Sequence, residues 1–164
     1  LHTEVHSFPT RRSSDLLPLI TLYATACEWH AARAFMPSGL AWLLAASFFN
    51  GLVIEIGRKI RAPEAEEHGV ETYSVLWGRR TATLVWWTAM LLAAATSLPV
   101  AKAIGLLTVL AAAFGGVLTL AALAGWRFLD QPGLKRAGLL EPLSGLWTLV
   151  AYLGLGVGPW LLRL

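Results

Sequence analysis

Residues 50–80 read NGLVIEIGRKIRAPEAEEHGVETYSVLWGRR, and within them a long apolar run gives way to a dense cluster of charges. Charged residues make up 14% of the 164-residue chain, whereas 56% of its residues are hydrophobic. In so apolar a chain, this is the one place where charged residues are densely clustered. We therefore expect any reactive or ligand-binding surface of this protein to lie in this stretch.

The composition outside this stretch is typical of a membrane protein. A soluble domain is about 45–50% apolar and about one quarter charged, and this chain departs from both figures. The formal charge is +3, but the basic residues lie at the ends of apolar runs and not on one polar face, so we do not expect nucleic acid as a partner. The single cysteine, Cys27, excludes an internal disulfide.

The first sixteen residues differ from the rest of the chain. They are polar, lack periodicity, and contain FPTRRSSDL at residues 8–16, which resembles the translation of a common sequencing-adaptor oligonucleotide. We interpret residues 1–16 as a non-native or disordered segment and residues 17–164 as a membrane helical domain, the C-terminal part of a longer protein. An ordinary disordered tail is the alternative for residues 1–16.

The apolar pattern predicts an all-α, polytopic membrane bundle with about five transmembrane helices. The predicted spans are residues 16–34, 40–60, 81–100, 103–126 and 142–162. The second span is about 30 Å long at 1.5 Å per residue, enough to cross the hydrocarbon core. The first is the weakest, because Glu28, His30 and Arg33 lie near its end, and it is either a short or tilted span or a helix that lacks partners upstream.

Lysine and arginine are concentrated in the loops at residues 58–80 and 127–141. By the positive-inside rule both loops are cytoplasmic, and the C-terminus faces the other side of the cell inner membrane. Tryptophans near the span ends are expected to anchor at the headgroup level. These are Trp29, Trp42, Trp77, Trp126 and Trp160.

Three polar residues interrupt the second span. Ser47, Asn50 and Glu55 should face the bundle interior or a watery cavity, because polar groups are costly in lipid. Two interpretations stay open: Ser47 and Asn50 contact neighbouring helices and Glu55 pairs with Lys59, or the three line a functional cavity. In the last span, Gly154 and Gly158 have the GxxxG spacing that allows close helix approach.

Basic and acidic residues alternate through the charged loop, a pattern that suits a diphosphate held through a divalent metal. Carboxylates bind Mg²⁺, and Arg58 and Lys59 would bind the remaining phosphate oxygens. The alternative is a solvated loop whose charges pair among themselves.

The same segment resembles the second acidic motif of the UbiA family of intramembrane prenyltransferases. Positions that match are Glu55, Arg58 and Ile60 at the helix end, and Gly69, Thr72, Gly78 and Ala82 downstream. The resemblance implies a nine-helix bundle of which these spans are the C-terminal five, with a first acidic motif on an earlier helix. The motif is altered, because Lys59 and Ala62 stand where the family has acidic residues and Glu66 aligns with its second aspartate, with Glu64 between.

The resemblance implies Mg²⁺-dependent transfer of a prenyl group from a polyprenyl diphosphate to a lipophilic acceptor. Implied roles are catalytic for Glu55, Arg58 and Lys59, metal-binding for Glu64, Glu66 and Glu67, and substrate-binding for Asn50, Arg58, Lys59, Thr72 and Tyr73. Glu67 is included only because it follows Glu66 and would take its place if the alignment with the motif shifted by one residue. Phe49, Tyr73 or Trp77 could stabilise the allylic cation. The chain by itself is expected to be inactive, since half of the metal ligands should lie upstream.

Two other functions fit the sequence. One is a non-catalytic membrane protein that binds isoprenoid or other membrane lipid, which Ala62 favours because it replaces an acidic residue. The other is a transporter fragment in which Asn50 and Glu55 line a permeation path.

Overall fold

The protein is a bundle of long helices. The computed structural model describes residues 13–66 and 69–161, and in those ranges every regular element is helical. The long helices are α1 (Ser13–Ala31), α2 (Leu40–Arg58), α4 (Arg79–Ala103), α5 (Leu107–Asp130) and α7 (Leu140–Tyr152). Short elements are a 3₁₀ turn (Pro63–Ala65), α3 (Tyr73–Leu76), α6 (Leu134–Ala137), a π-helical turn (Leu153–Val157) and α8 (Gly158–Leu161).

Within the described ranges, four helical stretches are long and apolar enough to cross a membrane. They are Leu40–Arg58, Arg79–Ala103, Leu107–Asp130 and Leu134–Trp160. The prediction of a helical membrane bundle is therefore confirmed, with the last span beginning at α6, eight residues before the predicted start at Pro142. The UbiA-like nine-helix arrangement stays a prediction.

Helix α1 forms where the first span was predicted but does not join this group of four. Its sequence SSDLLPLITLYATACEWHA carries Asp15 near the start and Glu28 and His30 near the end. These polar residues shorten the apolar stretch to less than the length that crosses a bilayer. The predicted segment 1–16 is described only from Ser13, where α1 begins, and the rest of it lies outside the described residues.

Helix α2 is the centre of the bundle. It packs against α1, α4 and α7, while α5 packs against α4 and α7. The interior between these helices holds large side chains that are fully buried, among them Trp86, Met90, Phe114, Phe128 and Trp147. Burying such side chains is the main packing contribution in a membrane bundle, where neighbouring lipid is as apolar as leucine.

Small residues set the distances between helices. A Cβ atom added at Gly57 of α2 would collide with the Ser144 hydroxyl of α7 and lie 3.0 Å from Trp86 Nε1 of α4. Cβ atoms added at Gly154 and Gly158 would meet the ends of the Leu110 and Leu106 side chains, at and just before the start of α5. Close approach of two helices at this GxxxG pair stays a prediction.

The helix ends define two sides of the bundle. Helices α2 and α5 end, and α4 and α7 begin, on one side, which we call the charged end. Basic residues at the charged end are Arg58, Lys59, Arg61, Arg79, Arg80, Arg127, Lys135 and Arg136. Between the two ends the outer surface exposes leucines such as Leu91, Leu120 and Leu149, as expected of a lipid-facing surface.

Candidate functional site

The last turns of α2 place a carboxylate inside the charged end. Glu55 is only 3% exposed, and its Oε1 accepts a hydrogen bond of 3.1 Å from the Tyr73 hydroxyl. Lys59 Nζ lies 3.5 Å from the same oxygen and 5.3 Å from the centre of the Tyr73 ring. The Tyr73 ring in turn stacks on Trp77, with 4.3 Å between ring centres. We call Glu55, Lys59, Tyr73 and Trp77 the α2–α3 cluster.

Backbone hydrogen bonds hold α3 against the end of α2. Tyr73 N donates to the Lys59 carbonyl at 3.1 Å, and Arg61 N donates to Ser74 Oγ at 2.7 Å. Thr72 is the N-cap of α3, is 2% exposed, and its hydroxyl accepts from Val75 N at 3.3 Å. An N-cap of this kind stabilises a helix by about 1 kcal/mol. Thr72 therefore has a structural task at this position.

A cavity of about 410 Å³ lies between the end of α2 and the start of the last span. Arg58 and Arg61 line it from the α2 side, and Leu134, Gly138 and Glu141 line it from α6 and α7. We call it the α2–α7 cavity. Two guanidinium groups against the one carboxylate of Glu141 leave a net positive charge, which with the apolar wall can receive an anionic headgroup that carries a hydrocarbon chain. The structure thus places the predicted Arg58 beside Arg61 and Glu141.

Glu141 and Arg61 were missing from the residues predicted from the sequence. Arg61 lies one residue beyond Ile60, the last matched position of the helix end that carried the prediction. Glu141 is 86 residues from Glu55, and only the packing of α7 against α2 brings it to this cavity. Its sequence signal was a lone acidic residue in the first turn of a membrane span.

The predicted metal ligands lie along the loop after α2. Glu64, in the 3₁₀ turn, is exposed and lines a cavity of about 540 Å³ together with Gln131, Lys135 and Arg136. Glu66 is half-buried, and Glu67 lies outside the described residues. Within residues 13–66 and 69–161, no group of three Asp, Glu, His or Cys side chains is placed to hold a metal ion. The exposed Glu64 carboxylate still suits Mg²⁺, which is often held by one or two carboxylates plus phosphate oxygens.

Asn50 and Ser47 are engaged in contacts between helices. Asn50 is 1% exposed, and its Oδ1 accepts a hydrogen bond of 2.9 Å from Trp147 Nε1 of α7. Ser47 Oγ lies 2.8 Å from Thr21 Oγ1 of α1 and 3.0 Å from the Tyr152 hydroxyl. Of the two interpretations of these polar residues, the structure shows the interhelical contacts.

Together these features define the class of protein. It is a helical membrane bundle whose charged end carries cavities lined by arginine and glutamate. No family model, no curated protein and no solved structure matches the chain. The similarity to the UbiA family therefore stands on the residues of the charged loop alone.

Proposed function

We propose that this chain belongs to a protein that transfers a prenyl group from a polyprenyl diphosphate to a lipophilic acceptor. The observation that supports it is the α2–α7 cavity, where Arg58 and Arg61 meet the apolar Leu134 at the end of a membrane-spanning helix. A polyprenyl diphosphate has the same two parts, an anionic head and a long hydrocarbon chain. The chain would lie along the bundle and the head would lie at the charged end.

Arg58 and Arg61 are the groups that bind the diphosphate in this proposal. Guanidinium groups donate two parallel hydrogen bonds to phosphate oxygens and stay charged at all relevant pH values. Their charge also favours the diphosphate as a leaving group, because it stabilises the negative charge that develops when the C–O bond breaks. The arginines would thus serve in both binding and catalysis.

Glu64 and Glu66, with Glu67, are the residues that would hold Mg²⁺. When bound, the ion supplies Lewis-acid stabilisation of the departing diphosphate. Because a group of three carboxylates is absent from the described residues, phosphate oxygens and acidic residues of another helix would complete the coordination. We expect this chain alone to be inactive for that reason.

The α2–α3 cluster orders the end of α2, next in sequence to Arg58 and Arg61, although none of its four residues lines the α2–α7 cavity. Glu55 orients Lys59 and Tyr73 through the contacts at 3.5 and 3.1 Å, so Lys59 keeps its ammonium group at the mouth of the bundle. Lys59 already lies over the Tyr73 ring, which leaves Trp77 or Phe49 as the π faces for an allylic cation.

A second candidate is binding of an isoprenoid or another lipid without catalysis. It is favoured by Glu55, whose carboxylate is buried against Lys59 and Tyr73, and by the lack of a metal-holding group of three such side chains within the described residues. Binding without turnover needs the arginines of the α2–α7 cavity but no metal ion. The two candidates therefore differ in which residues they require.

The test is Mg²⁺-dependent release of diphosphate by the complete gene product, measured beside binding of a polyprenyl diphosphate. We expect E64Q/E66Q to abolish release and to leave binding within about threefold, while R58Q/R61Q weakens binding by roughly 30-fold, as for the loss of about 1 kcal/mol per arginine. E71Q is the control, because Glu71 is an exposed acidic residue of the same loop.

Each result decides between the candidates. Undiminished release by E64Q/E66Q would remove both residues from the site. Tight binding with no release by the wild-type protein at any Mg²⁺ concentration would replace the transferase by the binding protein. Binding that R58Q/R61Q leaves unchanged would remove the α2–α7 cavity from both proposals.

A further inference from the structure

A second basic surface lies at the charged end, between the start of α4 and the end of α5. A cavity of about 550 Å³ is lined there by Trp77, Arg79, Arg80, Thr81 and Leu129, among others. An adjoining cavity of about 240 Å³ is lined by Arg80, Trp126, Leu129 and Asp130. Because the two cavities share Arg80 and Leu129, we treat them as one groove, the α4–α5 groove.

The groove carries positive charge that the rest of the described chain leaves uncompensated. Arg79 is half-buried and Arg80 is exposed, and neither guanidinium forms a hydrogen bond or ion pair with a residue of the described ranges. Asp130 lines only the smaller cavity. Two guanidinium groups facing one carboxylate leave a net positive site beside the exposed Thr81 hydroxyl. Such a set of donors suits the oxygens of a phosphate group.

The aromatic residues place the groove at the membrane surface. Trp77 and Trp126 line its two cavities and are 44% and 71% exposed. Exposed tryptophans at the ends of membrane spans lie at the level of the lipid headgroups. On α5, the exposed Leu123 lies one turn before Trp126 and shares its side of the helix. The groove therefore adjoins an apolar surface that acyl chains can cover.

We propose that the α4–α5 groove binds the headgroup of an acidic phospholipid. Basic pockets between membrane helices bind acidic headgroups, and in the orientation proposed from the loop charges this groove faces the leaflet that is rich in such lipids. The groove shares no residue with the α2–α7 cavity. Trp77 is also a candidate π face for the allylic cation, but Arg79 and Arg80, on which this proposal depends, have no role in the proposed prenyl transfer.

The experiment measures lipid retention by the full chain. The protein is purified in mild detergent and reconstituted in nanodiscs that contain phosphatidylglycerol and phosphatidylcholine. It is then released from the nanodiscs, and the lipids that it retains are identified by native mass spectrometry. We expect wild-type protein to retain one phosphatidylglycerol, and R79Q/R80Q to bind it roughly 30-fold more weakly, at about fivefold per arginine near the lipid surface. K102Q is the matched control, since Lys102 is an exposed basic residue at the other end of the same helix α4.

A second arm distinguishes a membrane lipid from a free anion. Glycerol 3-phosphate and inorganic phosphate are titrated into the same protein, and we expect neither to displace phosphatidylglycerol at millimolar concentration. Helicity by circular dichroism verifies that R79Q/R80Q folds. Retention by R79Q/R80Q equal to that of K102Q would overturn the proposal. Displacement of the lipid by free phosphate would overturn the assignment of a lipid as the ligand.

Discussion

The hydrogen bond from Trp147 to Asn50 should contribute measurably to the stability of the bundle. Both side chains are buried, at 0% and 1% exposure, and their 2.9 Å bond joins α7 to α2. The substitutions N50L and W147F each leave one polar group without its partner in an apolar interior, which costs about 1–3 kcal/mol. The double substitution N50L/W147F removes both polar groups together.

We therefore expect the double variant to be less destabilised than the sum of the single variants. Interhelical hydrogen bonds in membranes show coupling of about 0.6 kcal/mol on average and up to about 1.7 kcal/mol, and this buried bond should lie in that range. The assay is unfolding of the full chain in mixed micelles by titration with sodium dodecyl sulphate, followed by far-ultraviolet circular dichroism.

The control cycle pairs N50L with W87F. Trp87 Nε1 donates to the Ala121 carbonyl at 3.1 Å, a contact between α4 and α5 that shares no partner with Asn50. Additive effects within about 0.3–0.5 kcal/mol are expected there. Additive behaviour of the Asn50–Trp147 pair would show that the bond is not formed. If N50L instead weakened only polyprenyl diphosphate binding, Asn50 would belong to the substrate site.

Two further substitutions test the packing and the loop. G57A should lower the free energy of unfolding by about 1–3 kcal/mol, because its methyl group meets the Ser144 hydroxyl. G145A should be neutral or stabilising, because no atom lies within contact of a Cβ added at Gly145. Equal effects of the two variants in the micelle assay would contradict the close approach at Gly57. Y73F removes the hydrogen bond to Glu55, worth about 0.5–1.5 kcal/mol, and should speed proteolysis within residues 60–78. The double variant E55Q/Y73F should be cut no faster than Y73F. A proteolysis rate of Y73F equal to that of the wild type would show that this bond does not hold the loop.

The sequence was sufficient for the helices and for the polar positions inside them. Of the five spans that the apolar runs predicted, the structure contains four, because hydropathy and length depend on each segment separately. Polar groups are costly to expose to lipid, so we expected Ser47, Asn50 and Glu55 to face the interior. All three are buried.

The partners of these residues could not be predicted from the sequence. Trp147 looked like any other aromatic residue of an apolar span, and only the packing of α7 on α2 places its indole at Asn50. The same holds for Glu141 at the α2–α7 cavity. Local pattern gives the face of a helix but not which neighbour covers it.

The roles proposed for the charged loop also depend on packing. Thr72 matched the family motif, and the structure shows the local reason for a hydroxyl there, the N-cap of α3. Lys59 was open to two interpretations, and its contact with Glu55 is the one the structure contains. Substrate binding by either residue stays a prediction.

The distances along the chain between α2 and its partners have a consequence for synthesis. The bonds of Asn50 and Ser47 to α7 join residues 97 and 105 positions apart. At about 5–20 residues per second, a ribosome needs about 5–20 s to make the intervening chain. During that interval α2 carries an amide and a hydroxyl without their final α7 partners, so nascent α2 must stay near water, lipid headgroups or the insertion machinery until α7 arrives.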